Sequence, residues 1–274
     1  MAKILIVGCG DIGTALGVRL KEQGHEVTGL RRHPPENNSA INYIKADVSQ
    51  RQELSELEFD YDQLLYILSP SSVDLDSYQA VFSSGVKNLL DCLKVKNSNL
   101  AITFVSSTRV YGQTSGEWLD ESSVTEPTDG RGKILLAAEK MILDFNGEST
   151  VVRFSGIYGR SNHFLNQLKK GIEIQETPSY YTNRIHRDDC IGVLDFIMNK
   201  KLTRRLDHNI FLASDSEPTN KWDLALYLSD LFGYEKPTPL VLRKEAGANK
   251  RMNNARLKQA GYVFKFDSFR QGYI

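Results

Sequence analysis

The sequence predicts an α/β fold built on a doubly wound, mostly parallel sheet. Three observations carry that expectation. Strand and helix signals alternate through the first two thirds of the chain. The run Ile4-Leu5-Ile6-Val7 is short and wholly apolar, which suits a strand buried on both faces. That run passes through a glycine-rich turn directly into a helical pattern.

Taken in order, the first strand spans 4–7 and its helix 14–23, with Gly24 as the stop signal. A second strand follows at 26–30, a loop at 34–39 rich in Pro and Asn, and a short third strand at 41–45 that ends in Ala46-Asp47-Val48. Strand four covers 64–68 and meets Ser69-Pro70. Residues 78–93 carry apolar side chains at helical spacing, 100–105 read as strand five, 133–144 as a helix and 149–154 as strand six. Strands separated by helices imply right-handed crossovers. The last third changes character, with helices at 188–198 and 221–231, one strand at 209–213 and a loop at 176–183.

A chain of 274 residues is long enough for one large domain or two lobes and buries a sizeable core without staples. The 34 basic and 34 acidic residues cancel, which argues against a general nucleic-acid or membrane-surface binder. Cys9, Cys92 and Cys190 are far apart and form no C-x-x-C pair, so they read as reduced thiols of a cytoplasmic protein. The histidines show no metal-ligand spacing, and no metal is expected. No signal peptide is read at the start, and no apolar run is long enough for a membrane span.

The chemistry is concentrated in Gly8-Cys9-Gly10-Asp11-Ile12-Gly13, a G-x-G-x-x-G that follows a strand and opens a helix. Glycines let the backbone approach a diphosphate, and the helix N-terminus offers N–H groups and a positive dipole end. Gly8, Gly10, Asp11, Ile12 and Gly13 are therefore expected at a dinucleotide. At the end of the second strand an acid would bond a ribose 2′-hydroxyl and favour NAD. This chain has Arg31 and Arg32 there, and guanidinium groups suit a 2′-phosphate, so NADP is expected in preference to NAD. Solvated surface arginines are the plainer alternative. Asp47 and Val48 are placed at the adenine edge, and Ser69 and Ser106 at the carboxyl ends of strands, where open α/β sheets bind ligands. Ser107 and Thr108 lie in the same region, either bonding a substrate oxygen or satisfying their own turn.

Several motifs in order make the chain similar to the extended short-chain dehydrogenase/reductase family, the NAD(P)-dependent sugar-nucleotide epimerases and dehydratases. They are the glycine turn, Ala46–Val48, V-S-S-T-R-V-Y-G at 105–112, V-V-R-F-S-G-I-Y-G at 151–159 and R-I-H-R-D-D at 184–189. The resemblance implies a Rossmann-type sheet in a lobe of residues 1–157, and a mainly substrate-binding lobe at 158–274 with strand 209–213 returning to the sheet. It places Ser107 at the catalytic serine position and Ser155 beside the nicotinamide. It puts Arg184, His186 and Asp188 in a block around the substrate, with Tyr158 as a further substrate contact. Arg153, Arg160 and Arg184 are candidate cations for an anionic substrate. The family also suggests a homodimer through helices 78–93 and 133–144.

The departures from that family are specific. Its acid/base is a tyrosine four residues before a lysine. Aligning Lys133 with the lysine puts Asp129 at the tyrosine position; aligning Glu139 with the family glutamate gives Arg131 and Leu135 instead. The family asparagine before the fourth helix is Phe82 here. These losses resemble the atypical branch of the superfamily. Candidate replacement proton donors are Tyr111, whose family equivalent is normally structural; His186, which titrates near neutrality by default but reads more plainly as a histidine hydrogen-bonded beneath a loop; and Asp129 if its pKa is raised. Tyr180 and Tyr181 are further aromatic candidates. Two functions follow: an NADP-dependent oxidoreductase or epimerase on an unknown small polar, sugar-nucleotide-like substrate, or a non-catalytic NADP(H)-binding sensor or scaffold.

Overall fold

The computed structural model describes every residue except 37–39, 147, 204, 242–247 and 274. Seven strands form its main sheet: β1 (Lys3–Val7), β2 (Glu26–Arg31), β3 (Asn42–Lys45), β4 (Gln63–Tyr66), β5 (Ala101–Ser107), β6 (Thr150–Phe154) and β7 (Ile210–Ala213). Their order is β7-β6-β5-β4-β1-β2-β3. β1 pairs in parallel with both β2 and β4, β2 with β3, and β4 with β5. The order reverses between β1 and β4, which makes that edge the switch point where doubly wound sheets open a crevice. The Rossmann-type sheet expected from the sequence is the one observed.

Its construction follows from the apolar pattern. Ile4, Leu5, Ile6 and Val7 are all buried, as a strand covered on both faces requires. The helix Asp11–Glu22 buries Ile12, Gly13, Leu16, Gly17 and Leu20, a stripe at helical spacing. Leu16 and Leu20 are fully buried, each worth about 1.5–3 kcal/mol. Gly17 is part of that packing, since a Cβ there would lie 2.9 Å from Ile41 Cδ1.

The described chain divides into two compact units. One comprises Met1–Val110, Thr125–Arg153 and Ile191–Phe211; the other comprises Tyr111–Val124, Phe154–Cys190 and Leu212–Ile274. The chain passes between them five times; the sequence reading drew a boundary after residue 157 with strand 209–213 returning to the sheet. In the second unit, Gly156–Tyr158 pairs in parallel with Arg184–His186. Its core gathers Tyr158, Leu168, Ile174, Leu224, Leu228 and Phe269.

Two local expectations are corrected. The helix read over 78–93 starts at Leu75, runs as a π-helix through Gln79–Gly85 and continues as an α-helix over Val86–Lys96. The cause is a contact from β4: the Tyr66 hydroxyl donates to the Val81 carbonyl at 2.6 Å, which diverts that carbonyl from the α ladder. The segment 176–183 is not wholly loop. It holds the end of strand Glu173–Thr177, paired with Thr238–Val241, and Tyr181–Thr182, paired with Thr219–Asn220. Thr and Tyr suited a loop by composition, but they are also good strand formers. Of the loop read at 34–39, residues 37–39 lie outside the described residues. No described helix is long and apolar enough to cross a membrane.

Candidate functional site

The glycine turn of the first unit is built tightly and left open on one side. Gly8 has φ +107°, and a Cβ on it would lie 2.7 Å from the Ile67 carbonyl oxygen, so the turn is pressed against the chain leaving β4. A Cβ on Gly13 would lie 2.5 Å from the Gly8 carbonyl oxygen. Gly13 is therefore needed to close the turn itself, and not, as crowding of a diphosphate would have it, to keep the ligand's space clear. Above Gly10 nothing lies within 4 Å of where a Cβ would be. Gly10 is also the N-cap of the helix Asp11–Glu22, and no side chain caps it. Open space over a bare helix N-terminus is what a dinucleotide diphosphate fits.

The turn is tied to its surroundings through one carbonyl. Cys9 O accepts from Thr14 Oγ1 at 3.1 Å and from Arg31 Nη1 at 3.0 Å. The Cys9 side chain points inward against Gly29, where any Cβ would be 2.5 Å from the sulfur. Burial pushes the Cys9 thiol up to about 12, so it is an inert packing group. Arg32 is exposed, with its Nη1 3.9 Å from Asp47 Oδ2. Asp47 Oδ1 accepts from the Ser49 backbone N–H and hydroxyl, and Asn88 Nδ2 holds the Val48 and Ser49 carbonyls at 3.1 Å. Val48 is buried beside Gly85. Ser69 is exposed three residues beyond the end of β4. Thr14 and Asn88 had no motif to announce them, because their partners are main-chain carbonyls.

At the end of β5, Ser107 is half-buried and its Oγ accepts from the Arg109 backbone N–H at 3.2 Å. That bond uses a lone pair and leaves the hydroxyl proton available to another acceptor. Thr108 opens the 3-10 turn Thr108–Val110 and is also half-buried. Asp129 is the N-cap of the helix Gly130–Leu143, accepting from the Arg131 and Gly132 N–H groups, and it is paired with Arg109 Nε at 3.0 Å. Burial pushes its carboxyl up, but those hydrogen bonds and the Arg109 charge outweigh burial and hold it below the usual value. A raised pKa was required for Asp129 to donate a proton, and the opposite is found.

Other candidates are relocated. Ser106 is buried, with its hydroxyl 2.5 Å from Glu139 Oε1, and Arg153 grips the same carboxylate through Nε at 3.1 Å and Nη2 at 2.7 Å. Both were expected at ligands; both are committed to a buried ion-pair network that joins β5, β6 and the helix Gly130–Leu143. Lys133 is exposed and lines, with Pro127, Leu136, Ala137, Lys140 and Leu143, a groove of about 690 Å³ along that helix.

In the second unit, Tyr111 is buried and its hydroxyl donates to the Asp120 carbonyl at 2.8 Å, a structural bond that removes it as an acid. His186 Nδ1 accepts from the Asp188 backbone N–H at 3.1 Å. Its ring packs on Phe266 and Tyr158, with centroids at 4.1 and 5.1 Å, and against Gly159. Burial lowers its pKa. His186 therefore takes the plainer of its two readings, a hydrogen-bonded histidine at the start of the helix Arg187–Leu202. Asp188 pairs with Lys265 at 2.8 Å. The fully buried Asp189 accepts from Tyr262 Oη and the Lys265 and Phe266 N–H groups, a role its place beside Asp188 did not reveal. Ser155, Tyr158 and Arg184 are buried, and each keeps a polar atom with no hydrogen-bond partner. Arg160 is exposed. Among the described residues no group of three or more His, Cys, Asp or Glu is placed to hold a metal ion.

The comparisons with known proteins agree with this architecture. The family model for the NAD dependent epimerase/dehydratase family matches residues 4–201. A candidate NAD-dependent epimerase/dehydratase from Methylobacillus flagellatus is 33% identical, with 99% of this chain and 96% of that chain covered and a TM-score of 0.82. Protein YeeZ of Escherichia coli K12 is 25% identical over 209 residues, covering 72% of this chain and 73% of YeeZ. The UDP-glucuronic acid 4-epimerase of Bacillus cereus, solved in complex with NAD, shares the fold at 19% identity, with 98% and 95% coverage and a TM-score of 0.78. The chain belongs to the NAD dependent epimerase/dehydratase family.

Proposed function

We propose that this protein binds NADP(H) in preference to NAD(H) and uses it in epimerase- or dehydratase-type oxidoreduction of a small polar alcohol. The observation that carries this reading is the open space over Gly10 at an uncapped helix N-terminus, with Arg31 and Arg32 where an acid would select NAD. Gly8, Gly10 and Gly13 would hold the diphosphate, Arg32 the 2′-phosphate with Arg31 tying the turn beside it, and Asp47 with Val48 the adenine side. When bound, the nicotinamide supplies hydride chemistry. Ser107 then orients a reacting oxygen with the hydroxyl proton that its bond to Arg109 leaves available. Arg109 is neutralised by Asp129, which keeps that surface free of an uncompensated charge. UDP-sugars are the first substrates to try, since the NAD-bound Bacillus neighbour acts on one by name.

A second reading, an NADP(H)-binding sensor or scaffold without turnover, is favoured by a specific observation. Three candidate replacements for the family tyrosine are committed elsewhere: Asp129 to its helix cap, Tyr111 to Asp120, His186 to Asp188. Titration with NADPH and NADH, followed by product analysis of UDP-sugars incubated with the chain and NADP+ or NAD+, separates the readings. Binding with conversion of a UDP-sugar to an epimer or dehydrated product supports the enzyme; binding without conversion supports the sensor; no binding of either dinucleotide defeats both.

A further inference from the structure

The second unit contains three buried polar atoms without protein partners that belong to one cluster: Tyr158 Oη, Arg184 Nη1 and Asp215 Oδ2. Tyr158, Arg184 and Asp215 are 7%, 6% and 0% exposed. The register brings them together. Arg184 lies opposite Gly156 and His186 opposite Tyr158, so these positions share one face of the two-stranded ladder, and the glycine leaves room across from the guanidinium. The Asp215 N–H donates to the Arg184 carbonyl at 2.7 Å, which fixes the carboxylate alongside the same strand. The charges of Arg184 and Asp215 act on each other and on Tyr158.

The cluster is covered by the C-terminal segment. The Phe269 ring centroid is 5.2 Å from Arg184 Cζ, and Tyr273 stacks on Tyr158 with centroids 4.7 Å apart. Gly272 packs so closely on Tyr158 Oη that any Cβ there would collide with it. The neighbouring charge does not close the cluster. Glu217 is engaged by Arg270 Nε at 2.8 Å and by the Ser268 hydroxyl, while Arg184 Nη2 donates to Thr182 Oγ1.

Buried polar atoms without partners are costly, and three in one place call for a group that satisfies all of them. An anion would suit Arg184 and Tyr158 but face the Asp215 carboxylate once that acid ionises. A cation would meet the reverse conflict. A neutral hydroxyl accepts from Arg184 and donates to Asp215, with Tyr158 completing its shell. We propose that Tyr158, Arg184 and Asp215 form a buried binding site for one neutral hydroxyl group, supplied by water or by an alcohol.

The test is a crystal structure of the full chain, grown without alcohols and diffracting well enough to show ordered water. One peak within hydrogen-bond distance of Arg184 Nη1, Tyr158 Oη and Asp215 Oδ2 is expected. A soak in ethylene glycol then identifies the source: an unchanged peak means water, and density extended to a diol means an alcohol, either of which supports the site. Direct pairing of Arg184 Nη1 with Asp215 Oδ2 and no peak would overturn it. Tyr158→Phe, which keeps the ring packing on Tyr273, should lower the occupancy of the peak; full occupancy in that variant would also overturn the three-residue site.

Discussion

Arg31 donates from Nη1 to the Cys9 carbonyl at 3.0 Å, so the arginine that ends the second strand is part of the glycine turn's own scaffold. Arg32, at 56% side-chain exposure, is the more available of the two guanidinium groups. The pair thus divides two tasks, holding the turn and offering charge beside it.

That division predicts different outcomes for the two arginines. Arg32→Ala should weaken NADPH by about 1.4 kcal/mol or more, a factor of ten, and leave NADH nearly unchanged, since only the former carries a 2′-phosphate. Arg31→Ala should weaken both, because the turn loses a tie. Parallel titrations of the two variants with both dinucleotides check this, and equal losses for Arg32→Ala would count against the 2′-phosphate role.

Gly13→Ala places a methyl 2.5 Å from the Gly8 carbonyl oxygen, a backbone atom that cannot swing away. The expected cost is about 1–3 kcal/mol of stability together with loss of dinucleotide binding. Gly10→Ala meets nothing within 4 Å and should leave the melting temperature unchanged while weakening the dinucleotide. Thermal melts with and without NADPH distinguish the two glycines.

The buried Arg153–Glu139 pair should be costly to break on one side only. Glu139→Ala strands a guanidinium that is nearly fully buried and removes the acceptor of the Ser106 hydroxyl, at about 3–5 kcal/mol. Chemical denaturation reads this directly. A loss within experimental error would show that the network is not closed as described.

Asp215 gives a pH dependence with a definite sign. Burial raises its carboxyl to about 7 in the folded chain, against 3.8 as its ordinary value. A raised acid stabilises the fold fully below the unfolded pKa and loses that contribution as pH rises through the folded pKa. Stability should therefore fall between about pH 4 and pH 7 and level off above. Asp215→Asn should flatten that part of the profile. A native profile that rises across the same window would contradict the assignment, provided Asp215→Asn leaves the rise in place.

Much of the sheet was legible because its strands are short apolar runs set between helices, and β1 with its glycine turn is the clearest case. The π-helix at Gln79–Gly85 was not legible, since it depends on the Tyr66 hydroxyl reaching Val81 from a strand far away in sequence. The tight turn over Gly8–Gly13 could be read from glycine spacing. Arg153 and Ser106 could not be placed, because a serine after a strand and an arginine in a strand look the same whether they meet a ligand or a buried Glu139. His186 had two readings: its ordinary pKa suggested acid–base work, and the plainer one was a hydrogen-bonded histidine, which is how its Nδ1 is used at the start of the next helix. Asp189 and Asp215 are fully buried acids whose partners are main-chain N–H groups and distant residues, which no local spacing encodes.

Isothermal titration of the wild-type chain with NADPH and NADH is the most direct measurement of all. Saturable heat with both, and tighter association for NADPH, is the predicted result. Absence of heat with either dinucleotide, from a chain shown by its melt to be folded, would contradict the reading of the glycine turn as a diphosphate cradle.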